Sequence, residues 1–435
     1  MGLAMCIVFL ITFCAVVTVG MAGILILHSR SLRSPQAEAG ADSGQESGGR
    51  EQADSGFFAE RIPGREEEAG GTQAGEGGMD PAAEADAQTE SQGRYAQQLA
   101  DENYLRENRI LPWESADQET VTLGFVGDIL LDDEYAIMAS LLSRGAAIEN
   151  GISESALARM READIMVINN EFPFTDRGTP TEGKTFTFRA DTAAVSYLHD
   201  MGADVAILAN NHIYDFGEVG LLDTLETLER AEIPGVGAGR NLKEASAPLY
   251  FIVNDMKIAL VAATQIERLE NPDTRGATEN SAGVFRCLNP EKLYEVVAQA
   301  KQNSDFVIVY IHWGTEFQEQ PDWAQTEQAP GLARAGADLI IGDHPHILQG
   351  IEYIEDTLVI YSMGNFWFNS RTQDTGMVQV AIGPQGIESF QFLPALQSGC
   401  RVTLAEGEEK ERILVHMREL SPGVVIDGDG FVTRP

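Results

Sequence analysis

The sequence predicts an α/β fold, and three observations predict it. From Val121 onward, short apolar runs alternate with helical patterns, the texture of strands joined by helices. Each run begins polar, turns apolar and stops at polar residues, as buried parallel strands do. The chain has 435 residues and 43% hydrophobic content, enough for one large domain or two ordinary ones.

The first element lies before that domain. Residues 3–27, "LAMCIVFLITFCAVVTVGMAGILIL", carry no charge. At about 1.5 Å per residue they reach roughly 37 Å, enough to cross a hydrocarbon core of about 30 Å with some tilt. A cleaved signal peptide has a shorter apolar region and a small-residue cleavage site, so residues 1–30 read as an uncleaved transmembrane anchor. Arg30 and Arg33 follow the span and no Lys or Arg precedes it, a weak bias toward a cytoplasmic head.

Residues 34–100 are a different material. Gly, Ala, Ser, Gln, Glu and Asp dominate stretches such as "REEEAGGTQAGEGGMDPAAEADAQTE", and apolar side chains are sparse. Such a segment buries too little surface to offset its ordering entropy, which predicts a disordered, self-repelling acidic linker. Residues 95–118 form a transition with room for a short helix.

The predicted domain covers residues 119–400. Its strands are expected within 121–128, 163–171, 203–212, 257–265, 304–314, 337–346 and 357–366. Between them, "GEVGLLDTLETLERAEI" (217–233) places Leu221, Leu222, Leu225 and Leu228 on one helix face. From about Met377 the chain is richer in short strands that complete a sheet, and residues 401–435 read as C-terminal strands and a tail.

Charge and cysteines narrow the function. The formal net charge is −37 and no Lys/Arg cluster appears, which excludes a nucleic-acid binder, since phosphate contacts need basic patches. Of the four cysteines, Cys6 and Cys14 lie in the apolar N-terminus, and Cys287 and Cys400 are isolated. There is no CxxC or Cys/His zinc spacing, and Cys287 and Cys400 read as lone buried thiols rather than a disulfide.

The polar residues closing the strands carry the chemistry. They are Asp128; Asn170 and Glu171; Asn210, Asn211, His212 and Asp215; His312 and Glu316; Asp343, His344 and His346; and Asn365. Of seven histidines, His212, His312, His344 and His346 fall at strand ends. A single Asp or Asn there is an ordinary cap or turn residue, and a single His an ordinary structural one. Repeated over six strands, the pattern points to a pocket at the carboxyl ends of the sheet. Its donors are oxygen and imidazole without thiolate, a set that suits one or two divalent ions of the Mn, Zn, Fe or Co type. Within it, Glu316 is expected to orient His312, and Asp343 reads as a turn or supporting residue rather than a ligand.

Six motifs in order, "GFVGDILL", "NNEFPF", "LANNHIYDFG", "YIHWGTEF", "GDHPHILQG" and "YSMGNFWF", resemble the capsule-synthesis protein CapA family of bacterial poly-γ-glutamate systems. The resemblance covers roughly residues 121–370. It implies a calcineurin-like metallophosphoesterase fold, a β-sandwich flanked by helices that carries two metals. By the same resemblance, Asp128 and His346 serve the first metal, His312 and His344 the second, Glu171 bridges, and Asn211 is a carboxamide ligand. His212 acts on the leaving group with Asp215 beside it, while Asn170, Glu316 and Asn365 support the ligands or the substrate. The phosphoesterase pattern has a histidine two positions after its first aspartate, where this chain has Leu130, and a GDxxD aspartate where it has Glu171.

The anchor, the linker and the resemblance together point to a single-pass cell-membrane protein with an extracytoplasmic head, taking part in synthesis or export of an anionic polymer with other capsule-synthesis membrane subunits. A metal-dependent phosphoesterase or other hydrolase acting on the cell envelope is the alternative, and a non-catalytic binding or assembly protein a third.

Overall fold

The structure is a computed structural model and describes residues 93–266 and 274–435. The expected anchor and the expected acidic linker up to residue 92 lie outside the described residues, while residues 93–100, expected as the linker's end, are described and include the short helix Ala96–Leu99. Among the described residues no helix is long and apolar enough to cross a membrane.

The strands in chain order are β1 (Ile110–Pro112), β2 (Val121–Ile129), β3 (Ile165–Asn170), β4 (Val205–Ile207), β5 (Gly235–Val236), β6 (Ala238–Gly239), β7 (Leu249–Val253), β8 (Met256–Thr264) and β9 (Gly283–Val284). There follow β10 (Phe306–His312), β11 (Leu339–Asp343), β12 (Ile351–Ile354), β13 (Thr357–Ile360), β14 (Asn365–Trp367), β15 (Gln373–Gly383), β16 (Gly386–Ser398) and β17 (Arg401–Leu404). All but β6 and β9, which pair with each other, build two large mixed sheets. One runs β1-β7-β8-β10-β11-β13-β12, the other β17-β16-β15-β2-β3-β4-β5 with β14 beside β2. Strands β8, β10, β11 and β13 are mutually parallel in the first sheet, as are β2 to β5 in the second.

Period-2 alternation explains the layering. Strand β10 sends Phe306, Ile308 and Tyr310 into a core shared with Leu123 and Phe125 of β2 and Val167 of β3. Its other face, Val307, Val309 and Ile311, packs on the helices Glu291–Asn303 and Trp323–Ala335 through Leu293, Val297, Ala329 and Leu332. The outer face of the second sheet, including Met166, Ile168 and Ala206, meets Leu157, Met160, Leu198, Leu221 and Leu228 from the helices on that side. The result is helices, sheet, sheet, helices. Both faces of the central strands are buried, which is why they read as unbroken apolar runs.

Three expectations need correction. The run 357–366 is not one strand: β13 belongs to the first sheet and β14 to the second, so residues 361–364 carry the chain across the sandwich and Asn365 begins a strand. The strands after Met377 are not short, since β15 has 11 residues and β16 has 13. The last segment holds strands, as expected, at Arg401–Leu404, Val425–Ile426 and Val432–Thr433, but between them Gly407–Leu420 is an unexpected helix whose Ile413, Leu414 and Met417 enter the core between the sheets. Apolar residues one and four positions apart fall on one helical stripe, and burying that stripe outweighs the charged residues around it.

The crossing sets the position of the site. At Gly127 the β2–β3 register shifts, and the Asp128 N–H bonds to the Gly364 carbonyl at 3.1 Å. A Cβ on Gly127 would sit 1.8 Å from that oxygen, so no other residue fits without moving the backbone. Gly127→Ala should therefore cost about 2–4 kcal/mol of stability, as substitutions at such close approaches do. Denaturant unfolding checks this, and a loss below about 0.5 kcal/mol would show that the crossing adapts.

Candidate metal centre

Strands from both sheets end at one seam. Asp128 lies near the end of β2, Glu171 directly follows β3, and Asn210–Asp215 form the turn after β4. From the other sheet, His312 closes β10 and Asp343 closes β11, with His344 and His346 just beyond. The last two have φ of 102° and 60°, backbone that side-chain-bearing residues adopt at a cost of about 1–3 kcal/mol. Strain of this kind persists where the surroundings hold it, and here it turns both imidazoles toward the seam.

The structure brings all six residues expected to hold metal together. His346 Nδ1 lies 3.0 Å from Asp128 Oδ2 and 2.9 Å from Asn365 Oδ1. His312 Nε2 lies 2.8 Å from Asn211 Oδ1 and 3.1 Å from His344 Nδ1. Glu171 Oε1 is 3.6 Å from His312 Nε2 and 3.9 Å from His212 Nε2. Two triads have potential ligand atoms within 4.8 Å of one another: Glu171, His344 and His346, and Asp128, Glu171 and His312. Glu171 is common to both, as the residue expected to bridge would be. The triads divide the histidines differently from the expected pairs, although the His312–His344 and Asp128–His346 contacts join those pairs as well.

Whether these residues fit a cation is tested by Glu171. Both its carboxylate oxygens are buried, and neither has a hydrogen-bond partner among the described residues. Burial above all, then the nearby Asp128 and Asp343 carboxylates, push its pKa well up. A buried carboxylate without a donor is costly, and a divalent ion removes that cost directly. The imidazoles suit the same role. Burial first, then the neighbouring histidines and Lys184, hold His312 and His344 well below the usual histidine range, which favours the neutral form that can ligate a metal. Burial pulls His346 down too, but its hydrogen bond to Asp128 and that carboxylate's charge outweigh the effect and its pKa rises. The residues fit the group.

His212 and Asp215 form a second device beside the first. His212 Nδ1 lies 2.7 Å from Asp215 Oδ2, which directs Nε2 toward Glu171. Burial pushes Asp215 up to about 7, against the opposing Lys184 ammonium and Phe188 amide. Burial, followed by Lys184 and His346, holds His212 well below its ordinary value.

Of the residues expected to support the site, Asn365 touches His346 as described, and Asn170 donates to the Phe172 carbonyl at 2.6 Å. The Asn170 Oδ1 is buried with no partner among the described residues. Glu316 does not orient His312. It is exposed, and the His312 nitrogens meet Asn169, Asn211 and His344 instead. Gly314, with φ of 89°, turns the chain away between them. Asp343 is a supporting residue, accepting from the Tyr310 hydroxyl and the Met363 amide. Leu130, where the phosphoesterase pattern has histidine, is fully in the core.

Sequence reasoning missed Asn169, whose Nδ2 donates to Asp128 Oδ1 at 2.7 Å and faces His312 Nδ1 at 3.3 Å. The signal was present in the doubled "NN" ending β3, because alternate residues face opposite ways. It also missed Lys184 and Phe188, which lie in a polar loop with no strand-end pattern. Cys287 and Cys400 are both buried thiols that do not pair with each other in a disulfide.

Residues 122–370 match the family model for bacterial capsule synthesis protein PGA_cap. The chain is 31% identical over 281 residues to the PGA biosynthesis protein CapA of Bacillus subtilis, covering 63% of this chain and 71% of that protein. It is 27% identical over 321 residues to the capsule biosynthesis protein CapA of Bacillus anthracis, covering 71% and 75%. Among solved structures, a 5'-nucleotidase from Candida albicans aligns over 63% of this chain and 54% of that one, with 10% identity and a TM-score of 0.33. A superposition that loose carries no argument.

The state of Glu171 makes a prediction. Glu171→Gln keeps the shape and removes the cost of burying this carboxylate or of protonating it, so in chelator at pH 7.5 the variant should be more stable than the parent by about 1–3 kcal/mol. Added Zn or Mn should raise the parent's Tm and leave the variant's unchanged. A variant less stable than the metal-free parent would contradict this account of the carboxylate.

Proposed function

The chain belongs to the bacterial capsule synthesis protein PGA_cap family, and from that membership we propose that it takes part in making or exporting an anionic polymer of the poly-γ-glutamate class. Its working centre in this reading is a divalent-metal site held by Asp128, Glu171, Asn211, His312, His344 and His346. The observation that carries the reading is Glu171, a sealed carboxylate without a donor, ringed by imidazoles. When bound, a divalent ion would supply Lewis-acid stabilisation of an oxygen and a more acidic bound water. Bound cations also answer an electrostatic difficulty, since a chain of net charge −37 repels a polyanion unless counter-ions intervene.

The membrane parts of the proposal rest on sequence. Residues 3–27 anchor the chain, the acidic linker spaces the head from the bilayer on its extracytoplasmic side, and other capsule-synthesis membrane subunits are its partners.

A second reading, a metal-dependent hydrolase of a cell-envelope ester, is favoured by the His212–Asp215 pair. Asp215 fixes the tautomer and orientation of His212, leaving Nε2 to move a proton at a leaving atom. Asn365 keeps His346 in place.

A deletion strain complemented with the parent gene or with a His344→Ala/His346→Ala variant tests the first reading. The variant should be present at normal level yet restore less than about a tenth of the polymer, the scale of loss expected when ligands go. Full restoration would remove the metal site from the function. For the second reading, generic phosphoester hydrolysis should vanish in Glu171→Ala; activity that survives that change would arise elsewhere.

A further inference from the structure

Lys184 is buried at the site's margin, although neither metal binding nor proton movement calls for it. Its side chain is 6% exposed, yet it comes from a stretch, residues 176–187, that is mostly exposed. The Nζ donates to Asp215 Oδ1 at 2.6 Å and to the backbone carbonyl of Asn211. These are the two ends of the turn that carries His212.

Its neighbours in the same loop grip the same turn. The Phe188 amide donates to Asp215 Oδ2 at 2.7 Å, and Thr181 reaches the Asp215 carbonyl from its amide at 2.8 Å and its hydroxyl at 3.0 Å. The Phe188 ring lies over the His212 ring, with centroids 4.2 Å apart and planes 34° from parallel.

A buried Lys–Asp pair is poor value as stabilisation, because desolvating both charges offsets most of their attraction and an apolar pair would pack as well. What a charged donor adds is direction. Short contacts from one ammonium to the Asn211 carbonyl and the Asp215 carboxylate fix the distance between those groups. With the turn so held, the Asn211 carboxamide reaches His312 Nε2 at 2.8 Å and His212 is aimed by Asp215 at 2.7 Å. One residue thus governs a candidate metal ligand and the candidate proton carrier together.

We propose that Lys184 is a positioning residue: its ammonium clamps the Asn211–Asp215 turn so that the Asn211 carboxamide and the His212 imidazole face the pocket at once. The clamp itself is a property of the metal-free protein. Only its consequence for metal affinity rests on the metal reading above.

The test compares the full-length parent with Lys184→Met and Lys184→Arg. In metal-free crystal structures, Lys184→Met should lose the Asn211–His312 and His212–Asp215 contacts, and Lys184→Arg should keep them. Titration with Co(II) should show Lys184→Met binding about tenfold or more weakly, with an altered visible spectrum, and Lys184→Arg near the parent. A residue that merely held the loop would lower Tm and leave both contacts and the Co(II) spectrum as they are, which would overturn the proposal. Should Lys184→Met not fold, Lys184→Gln gives the same comparison with a neutral donor. If the parent takes up no Co(II), the metal reading fails, and the contacts in the metal-free structures alone decide the clamp.

Discussion

The arrangement depends on a single electrostatic constraint: Glu171 is a carboxylate sealed from water with no donor for either oxygen among the described residues. No residue of the surrounding cluster, from Asp128 to His346, is more than 8% exposed. A group of this kind raises the energy of the fold unless something positive meets it. Burial keeps three of the nearby imidazoles, His212, His312 and His344, neutral, and His346, whose pKa rises, is already paired with Asp128. A divalent ion held at Glu171 would satisfy the carboxylate and would use the lone pairs of His312 and His344 in one step.

The sandwich is what makes that convergence achievable. Parallel strands of one sheet deliver Asp128, Glu171 and the Asn211–Asp215 turn, and parallel strands of the other deliver His312, His344 and His346. Neither sheet holds the set alone. The two halves are tied at the crossing of residues 361–364, where Gly364 takes the Asp128 amide, and by Asn169, which touches Asp128 and His312 at once. Energy stored as left-handed backbone at His344 and His346 is affordable only in so constrained a seam.

Much of the site was legible because chemistry placed after an apolar run is conspicuous. A buried strand needs no aspartate or histidine at its end, so Asp128, Glu171, His312, His344 and His346 could be picked out from their context. What could not be read depended on direction or on folding at a distance. Asn169 and Asn170 are adjacent and identical, and only the pleat decides which one faces the seam. Lys184 looks like any surface lysine until its loop folds over the turn after β4. Glu316 misled through sequence proximity to His312, which the turn at Gly314 cancels. In the fold, the strand pattern was clear, but the helix Gly407–Leu420 was hidden by its many charges, and the break between β13 and β14 by its brevity, with only Ser362 and Gly364 to mark it.

The central claim is that these donors hold a metal. Elemental analysis of the full-length protein, purified without chelator, tests it most directly. The account predicts one or two transition-metal ions per chain, and close to none when His344 and His346 are both replaced in a protein that remains folded. A parent protein that holds no divalent metal even after reconstitution would contradict it.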